Sequence, residues 1–164
     1  MTRSAAFGAL ILVAFGSCPD LLLLDEPTAG LDPGMRLRFV ELTREALADF
    51  GPAILLTSHI MADVEDLADR VAFLRRGRLI LVESKERLRQ NWRRIRGRCR
   101  ARPQLNSNEW VAIEYEATCG EIHLVTSCWK EGLLDRLWEA GVTEVTAHGL
   151  SLEEIYSYVM RSPV

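Results

Sequence analysis

The 164-residue sequence is poor in cysteine and has no pair of cysteines at CxxC spacing. Its four cysteines are widely separated, which excludes both a disulfide-stapled scaffold and a zinc site of ordinary ligand spacing. The sequence also has no internal repeat and no low-complexity segment. We therefore expect one globular domain or slightly more, with reduced thiols in a cytosolic protein.

Long apolar runs are also lacking. The longest, AAFGALILVAF at residues 5–15, has eleven residues, too few to span a bilayer as a helix. It could be the core of a signal peptide that is cleaved near Cys18, or a buried helix that leads into the next strand. We favour the buried helix, because cleavage at Cys18 would leave an apolar strand at the new terminus.

Positive charge is concentrated in one part of the chain. Residues 75–102 hold eleven arginines and one lysine against two acids, a local charge of +10, so the rest of the chain carries −13. This asymmetry indicates a basic surface. The simplest interpretation is a solvated helix face; the alternative is a surface that binds nucleic acid or anionic lipid, which predicts salt-sensitive binding.

A strand–helix–strand pattern occupies the first half of the chain. The continuous apolar run Leu21–Leu24 is typical of a strand buried on both faces of a parallel sheet. Asp32 followed by Pro33 predicts a helix start, and apolar periodicity continues to about Phe50, before a Gly-Pro breaker. Ala53–Thr57 predicts a second strand. The spacing indicates a right-handed βαβ unit.

The remaining pattern predicts shorter elements. We expect a helix over Ile60–Ala68 with its acids on the outside, then a hairpin, then a helix that begins at Ser84 and continues into the arginine-rich residues. A polar, turn-rich segment after Pro103 separates a tail with the pattern ββαβα, whose last helix opens with a capping box, Ser151-Leu-Glu-Glu154. The tryptophans of this tail are expected in its core: Trp110, Trp129 and Trp138.

Polar side chains follow both strands of the predicted βαβ unit. Asp25 and Glu26 end the first strand, and His59 follows the second. In open parallel sheets the chemistry lies beyond the carboxyl ends of the strands. One acid there could hold hydrated Mg²⁺, the other could activate a water for attack on phosphate, and the histidine could bond a terminal phosphate.

These segments resemble the ATPase subunits of ABC transporters. LLLLDEP is similar to their Walker B strand, TAGLD to their D-loop, and TSHIMADVEDLADRVAFLRRGRLI to their H-loop segment. The resemblance covers residues 19–85 and implies that Asp25 serves Mg²⁺ through water and Glu26 is the catalytic carboxylate. It further implies that Asp32 is the D-loop acid at a subunit boundary, near the nucleotide, and that His59 is the switch histidine.

Other motifs of the family are missing from the sequence. It contains no GxxxxGK[ST], the loop whose backbone N–H groups and lysine bind the phosphates, and the expected signature position falls on the deviant Met1–Ser4. We therefore expect a truncated C-terminal half of an ABC ATPase domain at residues 1–102, with a degenerate signature helix, and an accessory α+β region at 103–164. The predicted fold class is α/β, a partial P-loop NTPase-type parallel sheet with flanking helices.

The resemblance implies an ATP-binding and ATP-hydrolysing subunit of an exporter that uses ATP and Mg²⁺, although binding by this chain alone is expected to be weak or absent. The implied partners are a transmembrane permease and a second ATPase subunit, as a homodimer or heterodimer, with no nucleic acid. The implied location is the cytoplasmic face of the cell membrane. The alternative is a non-catalytic remnant that pairs with a full-length ABC ATPase and regulates it.

Overall fold

The computed structural model describes residues 13–14, 16–17 and 19–161. Contacts within the chain divide it into two units, Met1–Ala68 and Asp69–Val164. The predicted signature position at Met1–Ser4 lies outside the described residues, as does most of the apolar run at 5–15. The predicted fold class is confirmed: the protein is mixed α/β, with one parallel and two antiparallel sheets among the described residues.

The first unit contains the predicted βαβ arrangement. Strands β1 (Leu21–Asp25) and β2 (Ala53–Thr57) pair in parallel, and helix α1 (Pro33–Phe50) connects them. The helix begins where the sequence predicts, because Asp32 caps its first turn. It ends at Gly51, whose left-handed backbone (φ 60°) closes the last turn through an N–H bond to the Leu47 carbonyl.

The two strands are half-buried, so the prediction of burial on both faces is wrong within the described residues. Helix α1 covers one face, where Phe39 and Val40 form a small core with Leu24. Because successive side chains of a strand point to opposite faces, alternate leucines of the described sheet remain outside, with 56–66 % of their surface exposed: Leu21, Leu23 and Leu55.

Helix α2 (Met61–Leu67) follows β2 and packs against α1. The prediction that its acids face solvent fails for Asp63, which is 1 % exposed. A carboxylate can be buried without a large penalty only when charged or polar partners satisfy it, and Asp63 has three such partners, described below.

The second unit opens with the predicted hairpin. Strands β3 (Arg70–Arg75) and β4 (Arg78–Ser84) pair antiparallel around a turn at Arg76 and Gly77, both with positive φ. Ser84 then caps the short helix α3 (Lys85–Asn91) by accepting a hydrogen bond from the Arg87 N–H.

The arginine-rich residues do not continue this helix, contrary to prediction. Helix α3 ends at Asn91, and β5 (Arg93–Arg98) follows as an inner strand between β7 (Glu121–Thr126) and β8 (Thr143–Gly149). Ile95 is fully buried in the sheet core, so burial and ladder hydrogen bonds outweigh the local pattern. Contacts consequently group residues 69–164 together, whereas the sequence places a boundary between residues 102 and 103.

The predicted ββαβα order of the tail is confirmed. Its strands join β5 in a sheet of order β6-β7-β5-β8, and the capping box opens the last helix. Trp110 and Trp129 pack against the core, but Trp138 is 73 % exposed, so its predicted burial is wrong. The bounds are β6 Ala112–Glu116, β7 Glu121–Thr126, α4 Leu133–Glu139, β8 Thr143–Gly149 and α5 Leu152–Arg161.

No helix in the described ranges is long and apolar enough to cross a membrane.

Candidate functional site

Glu26, the first residue after β1, has an unusual backbone. Its φ is +46°, a left-handed conformation that costs a non-glycine residue about 1 kcal/mol or more and that often marks functional positions. Its N–H donates to both the carbonyl and the side-chain oxygen of Thr57, each at 3.1 Å. The end of β2 therefore holds the start of the loop that follows β1.

Thr57 also connects Glu26 to Asp25. Its hydroxyl donates to Asp25 Oδ1 while accepting from the Glu26 N–H. Because Asp25 and Thr57 are direct partners in the parallel register, this short bridge follows from the strand pairing. Sequence reasoning did not single out Thr57; its signal was a hydroxyl at the carboxyl end of the second strand.

His59 lies beside Glu26. Its Nδ1 is 2.7 Å from Glu26 Oε2, a distance typical of a charge-assisted hydrogen bond. The imidazole is 72 % exposed and the carboxylate 36 % exposed, so both side chains are open to solvent at the carboxyl edge of the described sheet. The two strand ends thus bring three predicted site residues together: Asp25 and Glu26 through Thr57, and Glu26 and His59 directly.

Asp32 has a different position, at the start of α1. Its Oδ1 accepts from the N–H groups of Gly34 and Met35, each at 3.0 Å, which makes it the N-cap of the helix. The loop between Glu26 and Asp32 is tight, with Gly30 at φ 76°. Within the part of the chain that the structure describes, the Asp32 side chain bonds the start of the helix rather than the carboxylates at the strand end.

The loops that follow the two strands also share a polar cluster with two buried and two half-buried members. We call it the Asp63 cluster: Asp63, Thr28, Ser58 and Arg36. Asp63 Oδ2 accepts from the Thr28 hydroxyl and, at 3.4 Å, from the Ser58 hydroxyl, while Oδ1 accepts from Arg36 Nε. Thr28, like Asp63, is 1 % exposed. Sequence reasoning missed this cluster, because nothing local distinguishes Asp63 from the acids beside it.

The exposed donors suit a hard cation. Asp25 and Glu26 carboxylates and the Thr57 hydroxyl are all oxygen ligands, which Mg²⁺ prefers. Within the described ranges, no three His, Cys, Asp or Glu side chains are grouped to hold a metal ion by themselves. This fits Mg²⁺, which is usually bound by one or two carboxylates together with waters and substrate phosphates.

Comparison with known proteins finds ATP-binding proteins of transporters. The chain is 44 % identical over 80 residues to the daunorubicin/doxorubicin resistance ATP-binding protein of Streptomyces peucetius, covering 49 % of this chain and 23 % of that protein. It is 53 % identical over 78 residues to the Nod factor export ATP-binding protein I of Rhizobium leguminosarum, covering 48 % of this chain and 23 % of that protein. It is 45 % identical over 80 residues to an energy-coupling factor transporter ATP-binding protein of Lactococcus lactis, covering 49 % of this chain and 26 % of that protein.

No family model matches the chain. A solved structure described as the ATP-binding subunit of an ABC transporter aligns with 55 % of this chain and 37 % of its own, at 30 % identity and a TM-score of 0.48. The chain spans about a quarter of the length of the curated relatives it matches. About half of the chain is therefore homologous to ATP-binding proteins of ABC transporters.

Proposed function

We propose that the chain carries the hydrolytic part of the ATP site of an ABC transporter, and that the transporter is an exporter. Two of the relatives above are named for export or for antibiotic resistance. Support at the level of chemistry comes from the strand-end residues, whose types and order suit phosphate hydrolysis.

Each residue has a role in this proposal. Asp25 holds Mg²⁺ through water; the metal, when bound, neutralises charge on the phosphates. Glu26 orients and activates the attacking water as a general base. His59 has Nδ1 turned to Glu26, so Nε2 is the atom left for the terminal phosphate, to which it donates only when it carries a proton. Asp32 closes the loop that meets a second ATPase subunit.

One observation carries the proposal: the 2.7 Å contact between Glu26 Oε2 and His59 Nδ1. It joins the expected base and the expected phosphate ligand, which are 33 positions apart in the sequence. The left-handed backbone of Glu26 adds support, since strained positions cluster at functional sites.

ATP binding by this chain alone should be weak, because its sequence contains no GxxxxGK[ST] loop to bind the phosphates. Turnover would then need a partner that supplies such a loop. The same absence favours a second candidate: a non-catalytic module that pairs with a complete ABC ATPase and regulates it. Copurification with that ATPase, without turnover by the chain alone, would favour the second candidate.

The partners of the proposed site are a transmembrane permease and a second ATPase subunit, as a homodimer or heterodimer. The proposed location follows from that assembly: the cytoplasmic face of the membrane, peripheral to the permease. No role for nucleic acid is proposed, because several arginines of the basic region pair with acids of the same unit: Arg87 with Glu83, Arg94 with Glu154, and Arg98 with Glu121 and Glu144.

The test uses the full chain and Mn²⁺ as a paramagnetic substitute for Mg²⁺. With ATP and Mn²⁺ at millimolar concentration, we expect selective broadening of the amide signals of Glu26, Thr57 and His59. Asp25→Asn should abolish this broadening. The matched control is Asp20→Asn, which removes an exposed acid near the opposite end of β1 and should leave the broadening intact.

Broadening that is equal in the two variants, or that occurs elsewhere, would contradict the proposed site. Calorimetric titration with MgATP tests the weak binding separately. We expect no micromolar affinity for the chain alone, and a micromolar dissociation constant would refute the expectation that this chain needs a partner.

A further inference from the structure

We propose that Asp63 is a positioning residue that sets the contact between Glu26 and His59. The inference rests on the proposed function for the meaning of that contact, but its physical basis is the Asp63 cluster itself. One buried carboxylate bonds to the loop that bears Glu26, the loop that bears His59, and the helix that Asp32 caps.

The link to Glu26 runs through Thr28. The Glu26 carbonyl accepts from the Ala29 N–H at 3.1 Å, which closes a turn that contains Thr28. The hydroxyl of Thr28 donates to Asp63. Since Thr57 holds the beginning of this turn and Asp63 holds its middle, the left-handed backbone of Glu26 is constrained from both sides.

The link to His59 runs through Ser58. The Ser58 hydroxyl oxygen accepts from the Ile60 N–H at 3.0 Å and lies 3.4 Å from Asp63 Oδ2. The next residue, His59, has an exposed imidazole that contacts Glu26. The backbone that carries the imidazole is therefore anchored at Ser58, one residue before it.

Arg36 makes the burial of Asp63 possible. Its Nε donates to Asp63 Oδ1, and its guanidinium approaches Asp66 Oδ2 at 3.7 Å. A buried charge is tolerated when it is paired and hydrogen-bonded, and removing one partner of such a pair is strongly destabilising. One carboxylate consequently joins α1, α2 and both loops, so a change at Asp63 should be felt by all of them.

The experiment reads the tautomer of His59 in the nucleotide-free chain by ¹⁵N NMR of the imidazole. When the ring is neutral, a Glu26 carboxylate at Nδ1 favours the Nδ1–H form, whereas a free histidine prefers Nε2–H. Glu26→Ala calibrates the signature, and we expect it to give the free pattern. Asp63→Asn and Thr28→Val should both shift His59 toward that same free pattern.

Two matched variants serve as controls. The first control is Thr28→Ser, which keeps the hydroxyl and should retain the wild-type signature. It is matched to the test variant Thr28→Val, which keeps the shape of the side chain and removes only the donor. Asp66→Asn removes an acid of the same helix that is 44 % exposed, pairs with Arg44 and lies 3.7 Å from Arg36. Because Arg36 keeps its Nε bond to Asp63 in this variant, the His59 signature should stay unchanged.

The possible outcomes are distinct. If Asp63→Asn or Thr28→Val lowers the melting temperature but leaves the His59 signature unchanged, Asp63 is only structural and the inference is overturned. If Asp63→Asn does not fold, the comparison of Thr28→Val with Thr28→Ser tests the inference alone. The measurement needs no nucleotide, so it stands if the Mn²⁺–ATP test fails; conversely, a signature that depends on Glu26 but not on Asp63 leaves the proposed function intact.

Discussion

Cys99 shows how burial sets the chemistry of a single residue. It lies in the core of the second unit, 7 % exposed, next to the end of β5. Burial raises the pKa of its thiol, because desolvation disfavours the thiolate. Among the described cysteines, Cys119 and Cys128 are exposed. Since the thiolate is the reactive form, Cys99 should be less reactive than the two exposed cysteines.

We expect a thiol reagent to modify Cys99 more than about tenfold more slowly than Cys119, because a buried thiol reacts only when the structure opens locally. Peptide mass spectrometry after timed alkylation measures this directly, and alkylation in denaturant provides the reference in which the rates should converge. Equal rates in the native chain would show that Cys99 is not buried in solution.

At the scale of elements, helix α5 begins with a reciprocal cap. Glu154 accepts from the Ser151 N–H at 2.8 Å, and the Ser151 hydroxyl accepts from the Glu154 N–H at 3.2 Å. The bond from the Ser151 N–H is the main cause that lowers the pKa of Glu154, with help from Arg94 at 2.8 Å. The cap therefore depends on an ionised Glu154.

This lowered pKa predicts the direction of acid sensitivity. The folded state binds the proton of Glu154 less readily than the unfolded state, so the stabilisation is present above the unfolded pKa and is lost as pH falls through the folded pKa. Glu154→Gln should reduce the loss of melting temperature in this acid range. The adjacent, exposed Glu153→Gln should leave the acid sensitivity as it is, and an equal effect of both would contradict the role of the cap.

On the scale of the whole molecule, the chain consists of two units with unequal cores. The core cluster of the second unit draws its buried residues from strands β5 and β7, helix α4 and the segment around Val142. The first unit has a smaller described core around Phe39 and Val40 and exposed leucines on its sheet. Residues 69–164 should therefore fold without residues 1–68.

We expect a 69–164 fragment to melt cooperatively with a far-UV spectrum of mixed α/β type. Gly97→Ala tests whether the fragment packs its core as the full chain does, because an added Cβ would lie 2.5 Å from Val142 Cγ1. Overpacking of this kind costs about 1–3 kcal/mol, so the melting temperature should fall. Gly132→Ala, with no atom within 4 Å of the added Cβ, is the control; similar effects of the two changes would mean that the fragment packs differently.

The sequence by itself determined the local features of this protein. The caps at Asp32, Gly51 and Ser151 act within one turn, so short motifs were enough to place them. Strands β1 and β2 were likewise predictable from unbroken apolar runs, and their parallel pairing from the helix between them. The resemblance of the strand-end residues to an ABC ATPase was also readable without coordinates, because order and spacing carry it.

Only the tertiary structure decided which residues are buried together. Asp63 is buried by partners 35 and 27 positions away, Thr28 and Arg36, and no local pattern separates it from its exposed neighbour Asp66. The arginine-rich segment Arg93–Arg98 likewise becomes a strand because β7 and β8 lie on both sides of it. Burial and sheet pairing depend on segments distant in sequence, whose positions follow from packing rather than from local propensity.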